Sequence, residues 1–335
     1  MDFTFSDDQL LFRDAVRDLL TNECSPTAVR AAWESPDGRV PGLWQKLTDM
    51  GVVGLTAPEA AGGMGMTELD LVLLLEEAGR VALPEPLLDH TAVGLATLGE
   101  LQPEHSLVAA GAAGEATLAV SLAAGATMVL GAEEADAVLL RSGDELHLVE
   151  ADAVSLSAAT SVDESRRLST IEWSASSATL LSDDPNVLER ASSRGTLGAS
   201  AMCVGLAQQL LDMTVEYVAE REQFGKPVGV NQAVKHHCSN MGLAIEFARP
   251  LVYQAAFAMA SGSATAARDV SAAKVLASDA ADLAARLSLQ CHGAIGYTVE
   301  YDLQLWLKRA WTLSAAWGTA AQHRQKVAAA LTSLR

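Results

Sequence analysis

Leu10, Leu11, Ala15, Val16, Leu19 and Leu20 recur with the 3.6-residue period of a helix. Ser6, just ahead of them, is suited to accept a hydrogen bond from the free amides of a first turn. Trp44, Leu47 and Met50 predict a second helix that Gly51 can end, and Leu69, Val72, Leu73 and Glu76 predict a third over residues 66–80. A glycine-rich loop, Pro58-Glu59-Ala60-Ala61-Gly62-Gly63-Met64-Gly65, separates them. Near residue 116 the pattern changes. Short apolar pieces at 117–122, 128–130, 137–140, 146–149, 154–156 and 169–173 alternate with Gly125, Gly131, Ser142-Gly143-Asp144 and Asp163-Glu164. Strands this short, with turns this frequent, predict a small antiparallel β domain. From about Pro185 the helical period returns. Leu206, Leu210, Met213 and Tyr217 share one face, as do Val270, Ala273, Leu276, Ala280, Leu283 and Leu287. The expected fold is mainly α with a small β domain: helices over 1–112, a reduced β domain over 113–184 and a four-helix bundle over 185–335.

Composition narrows the functions this chain can have. Half of the residues are hydrophobic, which excludes disorder, and 23 basic against 42 acidic residues leave a net charge of −19. A phosphate backbone or an anionic bilayer needs a basic face, so nucleic acid and membrane surfaces are poor partners. The uncharged stretches 116–132, 195–211 and 251–267 all contain Gly, Ser or Thr. They fall short of the ~18–20 apolar residues that a membrane span requires. Cys24, Cys203, Cys238 and Cys291 show no metal-like spacing, and the first residues are acidic where a secretory signal would be basic. These features predict a cytoplasmic protein with reduced thiols.

Two motifs carry candidate chemistry. The first runs Arg221-Glu222-Gln223-Phe224-Gly225-Lys226-Pro227-Val228-Gly229-Val230-Asn231-Gln232 between two predicted helices. As plain structure it is a helix hairpin with Gly225 and Pro227 at its turn. The second is Gln290-Cys291-His292-Gly293-Ala294-Ile295-Gly296-Tyr297, which as plain structure is a helix end with Gly293 or Gly296 in the left-handed conformation. A glycine turn at a helix end can also cradle a pyrophosphate, and an arginine can clamp one through two hydrogen bonds.

Taken together and in this order, the motifs resemble the acyl-CoA dehydrogenase family. The resemblance extends along the whole chain. Met50-Gly51-Val52-Val53-Gly54-Leu55, Pro58-Glu59, Gly62-Gly63, Glu76-Glu77-Ala78-Gly79-Arg80 and Asp163-Glu164-Ser165-Arg166-Arg167-Leu168 also match. It implies an N-terminal helical domain, a middle β domain, a C-terminal four-helix bundle and FAD shared across a subunit boundary. On that resemblance Arg221, Phe224, Gln232, Gln290, Gly293 and Ala294 hold the pyrophosphate and adenosine end of the FAD of a neighbouring subunit. Ala294 replaces the usual second glycine.

The same resemblance exposes what is missing. The family reaction removes an α-proton from an acyl thioester with a glutamate while the β-hydrogen leaves as hydride to the flavin. One family position for that glutamate lies ten residues before the glycine of Gly205-Leu206-Ala207-Gln208, which is Gly195 here. The other precedes Gly318-Thr319 and is Trp317. Neither can take a proton. The Thr-Glu-Pro stretch that usually meets the flavin ring has no counterpart between Thr117 and Trp173.

The chain therefore resembles the non-catalytic subunit of the α2β2 acyl-CoA dehydrogenases of actinobacteria, which act on steroid side-chain or other bulky acyl-CoA esters. A catalytic family member would be its partner. The alternatives are a self-sufficient homo-oligomeric flavoenzyme with a displaced base, and a flavin-free scaffold. Glu189 and Glu246 are expected on solvated helix faces, Cys291 as a buried inert thiol, and Trp306, Trp311 and Trp317 as packing or interface residues. His236 and His237 are adjacent and point apart on a helix, so no metal is expected.

Overall fold

The computed structural model describes residues 4–332. Ser6 starts α1 (Asp7–Glu23) with a reciprocal cap: its hydroxyl accepts from Gln9 N at 3.2 Å and its own N–H donates to Gln9 Oε1 at 2.9 Å. Next come α2 (Pro26–Glu34), with proline in the first turn, and α3 (Leu43–Asp49), followed by Gly51 at φ +79°. After α4 (Glu68–Arg80), a fully buried π-helical stretch over Leu88–Leu95 runs into α5 (Ala96–Leu101), and α6 (Ser106–Ala112) follows.

Seven strands come next: β1 (Leu118–Ser121), β2 (Met128–Leu130), β3 (Ala137–Ser142), β4 (Glu145–Glu150), β5 (Ser155–Ala159), β6 (Leu168–Glu172) and β7 (Leu180–Ser182). They form two sheets, in the orders β1-β3-β4-β7 and β2-β6-β5. The domain is not purely antiparallel, because β1 pairs with β3 in parallel, Leu118 opposite Ala137. A parallel pair needs a crossover. The chain leaves the first sheet after β1, adds β2 to the second against β6, and returns as β3. Val129 and Ile171 from one sheet and Ala119, Val138, Leu140 and Val149 from the other share a buried core. A second cluster joins Leu95, Leu98 and Val108 to Leu118 and Ala137. His90 fastens the π-helical stretch to this layer: its Nδ1 accepts from Leu118 N at 3.1 Å, and its Nε2 lies 3.2 Å from the Gly111 carbonyl.

Past Pro185 the described residues form five helices: α7 (Pro185–Glu220), α8 (Gln232–Ala260), α9 (Ala266–His292), α10 (Leu303–Ala315) and α11 (Ala320–Thr332). Between α7 and α8 lies a two-strand ribbon, β8 (Glu222–Gln223) and β9 (Lys226–Pro227). The central helix is α9, which packs on α8, α10 and α11. Its Ala273, Ala277, Ala280, Ala281, Ala284 and Ala285 are fully buried, and such small side chains let neighbouring helices approach closely.

By contacts the chain divides into two compact units. One comprises the described part of Met1–Pro26 and of Ala199–Arg335 together with Val72–Leu83; the other comprises Thr27–Leu71 and Pro84–Gly198. In the first unit α4 and α7 meet backbone to backbone at Gly79 and Gly205, where an added β-carbon would overlap Met202 and Glu76 respectively. Glu76, buried there, accepts from Arg249 Nε at 3.0 Å and from the Tyr253 hydroxyl at 2.7 Å. The glycines of the Glu76–Arg80 and Gly205–Gln208 motifs thus serve packing. In the uncharged stretch 251–267 Phe257 is exposed, and with Leu243, Phe247 and Pro250 it forms one exposed stripe along α8. Among the described residues no helix is long and apolar enough to cross a membrane.

Candidate functional site

Both motifs lie in the first unit, at the joined ends of α7 and α9. Tyr217, near the end of α7, stacks its ring on His292, the last residue of α9, with centroids 4.3 Å apart. Its hydroxyl donates to the His292 carbonyl at 3.3 Å. One turn beyond Tyr217, Arg221 N donates to the Tyr217 carbonyl at 2.8 Å, and the Arg221 carbonyl accepts from Val228 N at 2.8 Å. That second bond closes the β8–β9 ribbon. The turn is made by Phe224 and Gly225, at φ +56° and +75°, rather than by Gly225 and Pro227; Pro227 lies within β9. Two consecutive positive φ values are those of a type I′ hairpin turn, whose twist matches that of the paired strands. Phenylalanine is a poor residue for that conformation, yet Phe224 holds it with its side chain 100% exposed.

On the other segment, Gln290 is exposed and Gly293 ends α9 at φ +65°, ψ −140°. Those angles lie outside the left-handed helical region and are essentially restricted to glycine. Gly296, the other expected candidate, has no positive φ; it is buried, and a β-carbon there would stand 3.0 Å from His292 Cβ. At Gly293 nothing lies within 4 Å of such a carbon, so the backbone faces open space. Ala294 is exposed beside it. Arg221 and Gln232, the first residue of α8, are exposed as well. Cys291 is half-buried rather than buried. It touches Cys238 of α8, and burial pushes its thiol up to about 11, which keeps it inert. The six residues expected to hold a cofactor thus stand on two segments tied at Tyr217–His292 and at Cys238–Cys291. The motifs do not pair Tyr217 with His292, because a contact between residues 75 apart leaves no local pattern.

The two positions expected to lack a base belong to different units. Gly195 is a buried residue of α7. Trp317 is half-buried with a left-handed φ of +58°, and Gly318 follows at φ +97°. His323, itself buried, places Nε2 2.9 Å from the Trp317 carbonyl. The fully buried Lys274 donates from Nζ to the Leu313 carbonyl at 2.7 Å and the Ser314 carbonyl at 3.2 Å, which caps the end of α10.

Of the other candidates, Glu189 is solvent-exposed and Glu246 is an exposed partner of Arg249. His236 and His237 join no group of three metal ligands among the described residues. Trp306 is buried and donates to the Arg80 carbonyl at 2.7 Å, whereas Trp311 is exposed. In the second unit burial pushes Glu85 up to about 7 and Asp89 up to about 6. Glu85 accepts from Val40 N at 3.0 Å, a structural contact.

Comparison with known proteins gives this arrangement its context. Residues 6–101 match the N-terminal domain of acyl-CoA dehydrogenases and residues 187–332 match their C-terminal domain. The acyl-CoA dehydrogenase IpdE2 of Mycolicibacterium smegmatis is 32% identical over 91% of this chain and 93% of its own length. Among solved structures, the Tcur3481-Tcur3483 steroid ACAD superposes with a TM-score of 0.90 at 24% identity, covering 98% of both chains. The ChsE4-ChsE5 complex of Mycobacterium tuberculosis also superposes with a TM-score of 0.90 at 24% identity, covering 99% of both chains. The IpdE2 match along almost the full length of both sequences, on a fold of N-terminal helices, middle sheets and C-terminal helices, shows that this chain belongs to the acyl-CoA dehydrogenase family.

Proposed function

We propose that this chain is the non-catalytic subunit of a heteromeric, FAD-dependent acyl-CoA dehydrogenase acting on a steroid side-chain or other bulky acyl-CoA. Its partner is a catalytic member of the same family, in an α2β2 assembly with two FAD. The observation that carries the reading is the exposure of the whole donor set: Arg221, Phe224, Gln232, Gln290, Gly293 and Ala294 are all exposed. A guanidinium, two carboxamides, an aromatic face and an open glycine backbone suit a pyrophosphate and an adenosine. FAD, when bound, supplies the hydride acceptor. This chain's part is to hold the nucleotide: Arg221 pairs with the pyrophosphate, Gln232 and Gln290 offer amide donors, and Phe224 covers the adenosine.

The absent carboxylates at Gly195 and Trp317 mean that proton removal falls to the partner. The exposed stripe of Leu243, Phe247, Pro250 and Phe257 supplies apolar surface for an obligate contact. The two superposing structures belong to a steroid enzyme of two named components and to a two-protein complex, which supports a paired assembly here.

The test is the flavin-to-protein ratio of the purified complex, measured together with its mass in solution. Two FAD per heterotetramer are expected. Four FAD per tetramer, or acyl-CoA oxidation by this chain alone, would overturn the reading. Within the complex, Arg221→Ala removes a charge-assisted contact of roughly 1.5–3 kcal/mol, an expected loss of about 10- to 150-fold in FAD affinity.

A further inference from the structure

His292 sits between the two motifs and has a chemical peculiarity. It is 4% exposed. Its Nδ1 lies 2.8 Å from the Ser288 carbonyl, so the ring proton is on Nδ1. Nε2 is then a bare lone pair, and it is buried with no hydrogen-bond partner. Two aromatic rings flank the imidazole: Tyr217 stacks at 4.3 Å with 21° between planes, and Tyr301 lies tilted at 5.2 Å, 6.0 Å from Tyr217. Tyr217 carries the Arg221 hairpin through the Tyr217–Arg221 backbone bond, and His292 carries Gly293 as its chain neighbour. The ring pair therefore joins the two halves of the donor set, alongside the Tyr217 hydroxyl bond to the His292 carbonyl and the Cys238–Cys291 contact.

We infer that His292 is a positioning residue: its neutral imidazole clamps the Arg221–Phe224 hairpin to the Gly293 turn, and its protonation releases them. A proton arriving at Nε2 would create a buried N–H with no acceptor and a charge with no water, both costly. The charged and titratable groups around the cluster are Glu216 and Glu220 on α7, Asp302 before α10, the Tyr217 and Tyr301 phenols, and the Cys238 and Cys291 thiols. The three carboxylates lie towards Tyr301 and give His292 no hydrogen bond. Burial holds its pKa below the usual histidine value. The consequence for flavin rests on the proposed function; the clamp itself is a property of this chain.

Hydrogen exchange of residues 217–226 and 290–298 in the isolated chain tests the clamp without flavin. FAD affinity of the complex then tests its consequence. His292→Ala should speed exchange in both segments by about tenfold, the scale of one lost aromatic pair, and weaken FAD by a similar factor. His292→Phe keeps a stacking ring without a titrating nitrogen and should preserve both. Acidification from the ordinary histidine value, near pH 6.5, downward should progressively loosen the wild-type segments and leave the Phe variant unmoved. Should His292→Ala fail to fold, Tyr217→Leu removes the same stack from its half-exposed side. Unchanged exchange in the Ala or Leu variant, or equal acid loosening in wild type and His292→Phe, overturns the clamp. Accelerated exchange with no effect of Arg221→Ala on FAD would instead sink the flavin reading and leave the clamp standing.

Discussion

Gly205 lies with its Cα against the carbonyl of Glu76, so that a β-carbon there would overlap that oxygen and stand 2.9 Å from the Arg80 nitrogen. The obstacle is helix backbone, which cannot swing aside as a side chain can. Gly205→Ala must part α4 from α7, at an expected cost of more than about 3 kcal/mol. Urea unfolding checks it; an unchanged midpoint would show that the helices have room to give.

Phe224 couples a local cost to a distant benefit. Its left-handed φ costs a residue with a β-carbon roughly 1–2 kcal/mol, and glycine escapes this. Phe224→Gly should therefore raise the unfolding free energy of the chain by up to about 1 kcal/mol while weakening FAD in the complex. Phe224→Ala keeps the strain, loses the ring and should weaken FAD without the gain in stability. Thermal melts read against flavin titrations separate the two effects.

Burial gives the second unit opposing pH responses. Glu85 is raised to about 7, so its stabilising contribution is full below the unfolded carboxyl value and is lost as pH rises through 7. His90 is lowered to about 4, so its contribution is full above 6.5 and is lost as pH falls towards 4. Glu85→Gln retains an acceptor for Val40 N and removes the buried charge. It should stabilise the chain by up to about 3 kcal/mol at pH 8 and hardly at all at pH 4. A gain independent of pH would mean that Glu85 is not the titrating group.

Lys274 is a fully buried cation whose ammonium caps two carbonyls at the end of α10. Lys274→Met strands the Leu313 carbonyl, leaves the Ser314 carbonyl only the Ser278 hydroxyl at 3.3 Å, and should cost about 2–4 kcal/mol. Because the same cap precedes Trp317, amide exchange over residues 313–319 should rise more than in α8. A uniform rise across both helices would place the damage elsewhere.

Which of these features could be read beforehand follows from their range along the chain. Five of the seven strands of the β domain lie within a residue or two of the apolar pieces, and β5 runs three residues past its piece, because period-two patterning between glycine turns is local. β7, Leu180–Ser182, escaped because three residues in a serine- and aspartate-rich stretch have no period. The parallel β1–β3 pair escaped because pairing direction depends on an excursion through another sheet. At the candidate site the motif residues were legible, but the turn was not. Phe-Gly is not the usual type I′ pair, and Pro227 drew the expected turn two residues past Gly225. The Tyr217–His292 stack joins the ends of two long helices and has no sequence signature at all.

The interleaving of the two units also governs how the chain emerges from the ribosome. α1 is made well before the residues beyond Ala199 that complete its unit. Val16 and Leu20, fully covered in the finished molecule, must wait for that later chain. At ordinary synthesis rates the wait is roughly ten to forty seconds. α1 is thus left uncovered until that chain follows, and a stop that removes the later residues of its unit orphans α1 as surely as α11.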